Sequence, residues 1–146
     1  MSTVTANLLQ QHGIKPTATR RAIWQCVAQN TTHPSAEQIY QSLCAAHASV
    51  SRASVYNTLR LFVGQGLLIE IQGADGFVHY DPITASHAHF QCRRCGRLWN
   101  IPYAVDASRI PELDAFEVQS TDLRFFGICP DCAASAHDPV GQKDLA

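Results

Sequence analysis

Four cysteines in two pairs, Cys92 with Cys95 and Cys129 with Cys132, restrict this chain more than any other feature of its sequence. Each pair has C-x-x-C spacing, which turns the backbone tightly enough to offer two sulfurs to one ion. Four thiolates together make the closed tetrahedral shell of a structural zinc. Gly96 and Pro130 suit such turns, and the 33 residues between the pairs mean that they meet only through tertiary folding. A closed shell leaves no position for a substrate water, which argues against catalytic zinc. A disulfide framework is the competing use of six cysteines. The N-terminus MSTVTANLLQQHG carries no export signal, however, and a reducing compartment favours metal. Neither motif lies between a strand and a helix of a βαβ unit, as a thioredoxin-like pair would. Cys26 and Cys44 fall on the inner faces of amphipathic stretches and read as small core residues.

A chain of 146 residues suffices for one ordinary domain or two small ones, and 46% hydrophobic content supports a packed core. No apolar run approaches the roughly 18 residues of a membrane span, so a soluble cytoplasmic protein without a membrane partner is expected. The net charge of −1 hides an asymmetry. Residues 1–80 hold five Lys and Arg against three Asp and Glu, whereas residues 81–146 hold six against nine. The N-terminal half is basic enough to face a polyanion, although charge alone gives weak non-specific binding.

The first half reads as helices and the second as strands. Residues 4–12 suit a short helix closed by Gly13, and Thr17 caps a second running to Ala28, with Ile23, Cys26, Val27 and Asn30 on one face. Ser35 and Gln38 form a capping box for a third, in which Ile39, Leu43 and Cys44 continue the apolar stripe. Ser51 caps a fourth helix to about Val63. Its inner face is Val55, Leu59 and Phe62; its outer face carries Arg52, Tyr56 and Arg60 at i, i+4, i+8, with Ala53 and Asn57 beside them. The segments 67–72 and 77–82 flank the turn GADG as a β-hairpin. Helices followed by a hairpin make a winged helix-turn-helix. Beyond Asp81, ITASHA reads as a hinge, 89–92 and 97–101 as strands, 103–115 as weakly helical, and 118–129 as a strand with Val118, Leu123, Phe125 and Phe126 as apolar bulk.

His87 and His89 stand just before the first cysteine pair, six and eight residues after Asp81. In an extended segment both imidazoles project to one side. Two imidazoles and a carboxylate make a mixed N/O set suited to iron, manganese, zinc or nickel. On its own, H-x-H is equally the polar face of a strand; Asp81 and the hinge position weigh toward metal. His12, His47 and His137 read as surface residues, and the sequence assigns no role to His79.

Taken together, HGIKPTATR, THPSAEQIY, SVSRASVYNTLRLFVGQGLL, HYDPITASHAHFQCRRCG and FFGICPDC resemble the ferric uptake regulator (Fur) superfamily of bacterial metal-responsive repressors. The motifs span most of residues 10–132 in order. The resemblance implies an α+β protein: a winged helix-turn-helix DNA-binding domain at 1–80, a hinge at 81–86, and a small α/β dimerisation domain at 87–133. This second domain forms a homodimer and is stapled by the four-cysteine zinc; residues 134–146 are a flexible tail. Within the superfamily the chain is most similar to the peroxide-sensing (PerR) branch, whose regulatory Fe2+ or Mn2+ is held by three histidines and two aspartates. His33, Asp81, His87 and His89 fall on four of those ligands. The fifth, an aspartate in the branch, is Asn100 here, whose amide oxygen brings no charge and shifts metal preference, Zn2+ included. Thr121 replaces an additional histidine of some members, so no third metal site is expected.

The resemblance also implies the switch. A metal joining His33 of the DNA-binding domain to His87 and His89 of the dimer domain locks two half-clamps at the spacing of two major-groove half-sites. In the branch, peroxide reacts with bound Fe2+ and oxidises histidine ligands, and the matching positions are His33 and His87. On the DNA side, Tyr56 suits a thymine methyl, Arg52 and Arg60 phosphate or guanine, Asn57 an adenine edge, and Lys15 and Arg20 the backbone or minor groove. The expected partner is double-stranded DNA with an AT-rich inverted repeat, and no enzyme activity is expected. The alternative reading is a pure iron, manganese or zinc uptake regulator without peroxide sensing.

Overall fold

Side-chain caps begin the helices where the sequence marks them. In the computed structural model, which describes residues 2–135, α1 (Ser2–Gln11) is followed by Gly13 at φ 70°. Thr17 Oγ1 accepts from the Arg20 N–H to open α2 (Ala18–Ala28). Ser35 and Gln38 exchange both bonds of a capping box at the start of α3 (Ala36–Ala45). Ser51 Oγ accepts from the Ser54 N–H to open α4 (Arg52–Gly64). Each cap satisfies an amide that the helix cannot, a contribution of about 1 kcal/mol. Helix α4 runs one residue past the expected Val63, and Gly66 in the left-handed region at φ 72° turns the chain away.

These helices and a hairpin of β1 (Ile69–Gln72) with β2 (Val78–Asp81) form the first of two compact units, Met1–Ser86. The hairpin pairs Ile71 with His79 and Glu70 with Tyr80. Its core collects one face of each helix together with residues leading into and along the hairpin: Leu9, Ile14, Ile23, Val27, Ile39, Val55, Leu59, Phe62, Leu68 and Tyr80 are all buried. Burial of a side chain of this size is worth about 1.5–3 kcal/mol. The inner face of α4 is therefore fixed in the core. Arg52, Ala53, Tyr56, Asn57 and Arg60 are left exposed on its other side. Cys26 is half-buried and Cys44 exposed, so only the first fits the expected core position.

The second unit begins at His87. Its sheet has the order β4-β3-β5, with β3 (Ala88–Cys92) antiparallel to β4 (Leu98–Ile101) and parallel to β5 (Arg124–Gly127). A five-residue helix, α5 (Pro130–Ala134), follows. Two expectations shrink here. The stretch 103–115 makes two single 3-10 turns, Ala107–Arg109 and Pro111–Leu113, because Pro111 supplies no N–H to continue the first. Of the strand expected at 118–129, only four residues pair with β3. Phe125 and Phe126 on this outer strand are 46% and 48% exposed rather than core. Residues 136–146, with most of the expected tail and His137, lie outside the described residues. Among the described residues no helix is long and apolar enough to cross a membrane. The architecture is α+β, a winged helix-turn-helix unit and a small α/β unit that carries the four paired cysteines.

Candidate metal centres and nucleic-acid interface

The first cysteine pair lies at the end of β3 and in the turn before β4, the second at the cap and first turn of α5. Gly96 at φ 74° closes the first turn, a conformation that costs a residue with a Cβ about 1 kcal/mol or more. All four sulfurs lie within 4.8 Å of one another. Cys95 Sγ and Cys129 Sγ are 3.8 Å apart, the separation of roughly 3.8 Å that two thiolates adopt on a tetrahedral ion with bonds of about 2.3 Å. Backbone N–H groups of Arg94, Cys95 and Cys129 point at Cys92 Sγ from 3.4, 3.5 and 3.3 Å. Burial works to raise the Cys92 thiol, but these three donors outweigh it and hold the group down at about 6. Partial burial and the surrounding sulfurs push Cys132 up to about 12. The Cys92 sulfur is thus ready as a thiolate, whereas Cys132 needs a cation beside it to become one. Arg94 Nη1 donates to the Cys132 carbonyl at 2.8 Å, tying the two knuckles together outside the sulfur shell. The donor set and geometry fit a structural zinc.

In the helical unit, His33 and Asp81 are buried, with His33 Nε2 and Asp81 Oδ2 3.2 Å apart. His33 sits at φ 55°, a left-handed conformation that costs a non-glycine residue about 1 kcal/mol and persists only where neighbours impose it. The neighbours here are in β2. Tyr80 N–H donates to the Pro34 carbonyl at 3.1 Å, and Ser35 bridges to His79 in antiparallel fashion. The Ile83 N–H binds Asp81 Oδ1 at 2.8 Å, which leaves Oδ2 toward His33.

In the second unit, His87 and His89 have ring centroids 4.4 Å apart, as expected for alternate residues on one side of a strand. His89 lies opposite Asn100 in the sheet register, and His87 Nε2 donates to Asn100 Oδ1 at 3.0 Å. His87, His89 and Asn100 therefore converge. Asn100 is engaged with a histidine through the oxygen that would otherwise coordinate.

On the outer face of α4, Tyr56, Asn57 and Arg60 are exposed. Arg52 is exposed but not unattached: Nε and Nη2 bind both oxygens of Glu37 at 3.0 Å, and the guanidinium lies 4.4 Å over the Tyr40 ring. The Arg52 hydrogen bond holds the Glu37 carboxyl below its ordinary range. Lys15 is exposed, and its carbonyl accepts from Arg20 Nη1 at 3.1 Å ahead of α2.

Sequence reasoning missed Glu37 and, more importantly, His79. The signal for His79 was in the alternation of β2, where His79 and Asp81 two residues apart share a face. His79 is buried, with Nδ1 donating to the His33 carbonyl at 2.6 Å and Nε2 facing Asp75 Oδ2 at 2.9 Å.

The Ferric uptake regulator family profile matches residues 11–126. The peroxide-responsive repressor PerR of Staphylococcus aureus strain Mu50 is 32% identical over 127 residues, covering 85% of this chain and 86% of that repressor. The solved ferric uptake regulator of Vibrio cholerae superposes with a TM-score of 0.68 at 25% identity, covering 85% of this chain and 98% of that one. That of Pseudomonas aeruginosa, solved with manganese, gives 0.70 at 25% identity, covering 87% and 98%. Regulators of this family bind DNA and are dimers. With a winged helix, a sulfur cage fit for zinc and a histidine–aspartate pair in place, the chain belongs to the ferric uptake regulator family.

Proposed function

We propose that the chain is a metal-dependent DNA-binding repressor that acts in the cytoplasm as a homodimer and senses peroxide through the ligands of its regulatory metal. The observation that carries this reading is the buried His33–Asp81 pair. A unit that did nothing but bind DNA would have no use for an imidazole and a carboxylate enclosed beside a left-handed backbone. Such a pair suits a divalent ion of intermediate hardness, Fe2+ or Mn2+. We assign the regulatory ligands as His33, Asp81, His87 and His89, with Asn100 as a neutral fifth member.

Residues 1–80 then form the DNA-binding domain, 81–86 the hinge, and 87–133 the dimerisation and metal-binding domain. An ion drawing ligands from both domains fixes the spacing of two α4 helices in a dimer, and so selects half-sites of an AT-rich inverted repeat. Tyr56, Asn57 and Arg60 read the groove, Arg52 does so as oriented by Glu37, and Lys15 with Arg20 reach the backbone. The exposed Phe125 and Phe126 on the outer strand β5 support a homodimer through that unit. Bound Fe2+ supplies the electron chemistry by which peroxide adds oxygen to an adjacent imidazole, and His33 and His87 are the residues assigned to that oxidation. Similarity to a peroxide-responsive repressor supports the assignment.

The test uses protein that keeps its cysteine zinc. DNA binding is expected with Fe2+ or Mn2+ added and lost on their removal. Peroxide applied to the Fe2+ form should add the mass of one oxygen atom to a peptide containing His33 or His87, read by mass spectrometry, and release the DNA. Metal-independent DNA binding would end the switch reading. Unmodified histidines with DNA binding intact after peroxide would leave a pure metal sensor. Asn100 favours that second reading, because it is neutral and already engaged by His87.

A further inference from the structure

The helical unit contains a connection that neither DNA reading nor metal ligation requires by itself. It starts in the wing turn. Asp75 Oδ1 accepts from the Phe77 N–H at 3.0 Å and its Oδ2 meets His79 Nε2 at 2.9 Å. The other ring nitrogen of His79 donates to the His33 carbonyl at 2.6 Å. The ring is enclosed so closely that a Cβ on Gly73 would lie 2.7 Å from its Cδ2 and Nε2 and 2.3 Å from Asp75 Oδ1, which accounts for glycine at that turn position. At the far end, His33 holds φ 55° and faces Asp81. An unbroken path of hydrogen bonds therefore runs from the turn, through one buried imidazole, to the strained backbone of a metal ligand. A histidine that merely filled space would need neither of these two polar partners.

We propose that His79 is a positioning residue that couples the wing turn to the regulatory metal by fixing the backbone of His33. The inference rests on the reading of His33 and Asp81 as metal ligands. A wing turn seated on DNA holds Asp75, Asp75 orients the His79 ring, and the ring holds the His33 carbonyl in the conformation that presents the imidazole to the ion. DNA and metal then tighten each other's binding, and thermodynamic reciprocity requires the factor to be the same in both directions.

The experiment uses the full-length, zinc-loaded protein. Mn2+ is titrated while the free ion is followed by electron paramagnetic resonance, with and without a duplex selected by the wild type from a randomised pool. In the wild type, DNA should tighten Mn2+ binding on the order of tenfold. His79→Phe should weaken Mn2+ about tenfold or more, the usual effect of removing a group that orients a ligand. His79→Asn, whose amide can still donate to the His33 carbonyl, should restore most of that loss. Asp75→Ala should bind Mn2+ nearly as the wild type does without DNA but lose the tightening that DNA brings, an effect that a purely structural role would not produce. If His79→Phe fails to fold, Asp75→Ala at the partly exposed turn decides the matter alone.

Full mutual tightening in Asp75→Ala, wild-type Mn2+ affinity in a folded His79→Phe, or no tightening in the wild type would each overturn the proposal. His33→Ala separates the two layers. Loss of Mn2+ binding there, with His79→Phe unaffected, refutes the coupling alone. Wild-type Mn2+ affinity in His33→Ala refutes the metal reading beneath it.

Discussion

Among single residues, Cys92 carries the clearest chemical instruction. Its sulfur is buried, and burial by itself would favour the neutral thiol, yet three backbone N–H groups reverse that preference and bring the group down to about 6. Cys132, with no comparable set of donors, is driven up to about 12. Binding of Zn2+ to the reduced, metal-free protein must therefore release protons, because metal-bound sulfur is thiolate. The sign follows from the two values. Above about pH 7 Cys92 has already lost its proton and contributes nothing to the release, while Cys132 gives one up. As pH falls through about 6 Cys92 becomes protonated before binding, proton release grows by one, and zinc affinity declines more steeply. Calorimetry in two buffers of different ionisation enthalpy measures this directly. Proton release that is flat from about one pH unit below that value to about one above it would contradict the assignment of Cys92 as the pre-formed thiolate.

At the scale of elements, α4 owes its position to a division between its faces. Val55, Leu59 and Phe62 are buried while Arg52, Tyr56 and Arg60 are exposed, so the face we propose for groove reading is set by the core-packing face. The start of that helix depends on Ser51. Replacing Ser51 by Ala should cost about 1 kcal/mol of stability in urea unfolding, and replacing it by Gly a few tenths, since Gly keeps the backbone conformation and loses only the acceptor. No loss in the Ala variant would mean that the side-chain bond is not what stabilises the helix start. The same reasoning explains why the boundaries of α2, α3 and α4 were legible in the sequence: each cap is a local bond between residues three apart. Strand β5 was not. Its length depends on which residues find a partner in β3, and nothing between 118 and 129 records that only 124–127 do.

For the molecule as a whole, the two units differ in what holds them together. The helical unit buries a cluster that includes Leu9, Ile23, Ile39, Leu59 and Phe62. In the second unit the buried apolar residues are Ala88, Cys92, Leu98 and Cys129 among the described residues, and two of these four are zinc ligands by our reading. So thin a core cannot offset the conformational entropy of its chain without the metal. Stripping zinc with a chelator under reducing conditions should therefore abolish amide protection in β3, β4 and β5 while the helices of the first unit stay protected. Hydrogen exchange resolves the two. Uniform loss of protection across both units, or none in either, would show that zinc does not act as the staple of the second unit alone.

What the sequence by itself determined is what depends on near neighbours. Caps, the inner and outer faces of α4, the turn-closing Gly96 and the spacing within each of the pairs Cys92–Cys95 and Cys129–Cys132 are fixed by residues a few positions apart, and the motifs that mark the family are runs of the same kind. The tertiary structure decided what depends on residues far apart in the chain. Convergence of the two cysteine pairs, the left-handed His33 held against β2, the pairing of Arg52 with Glu37 and the enclosure of His79 between Asp75 and His33 each join segments that local propensity cannot see. A histidine in a strand has the same sequence signature whether it faces water or a carbonyl oxygen. Packing alone set His79 between the Asp75 carboxylate and the His33 carbonyl.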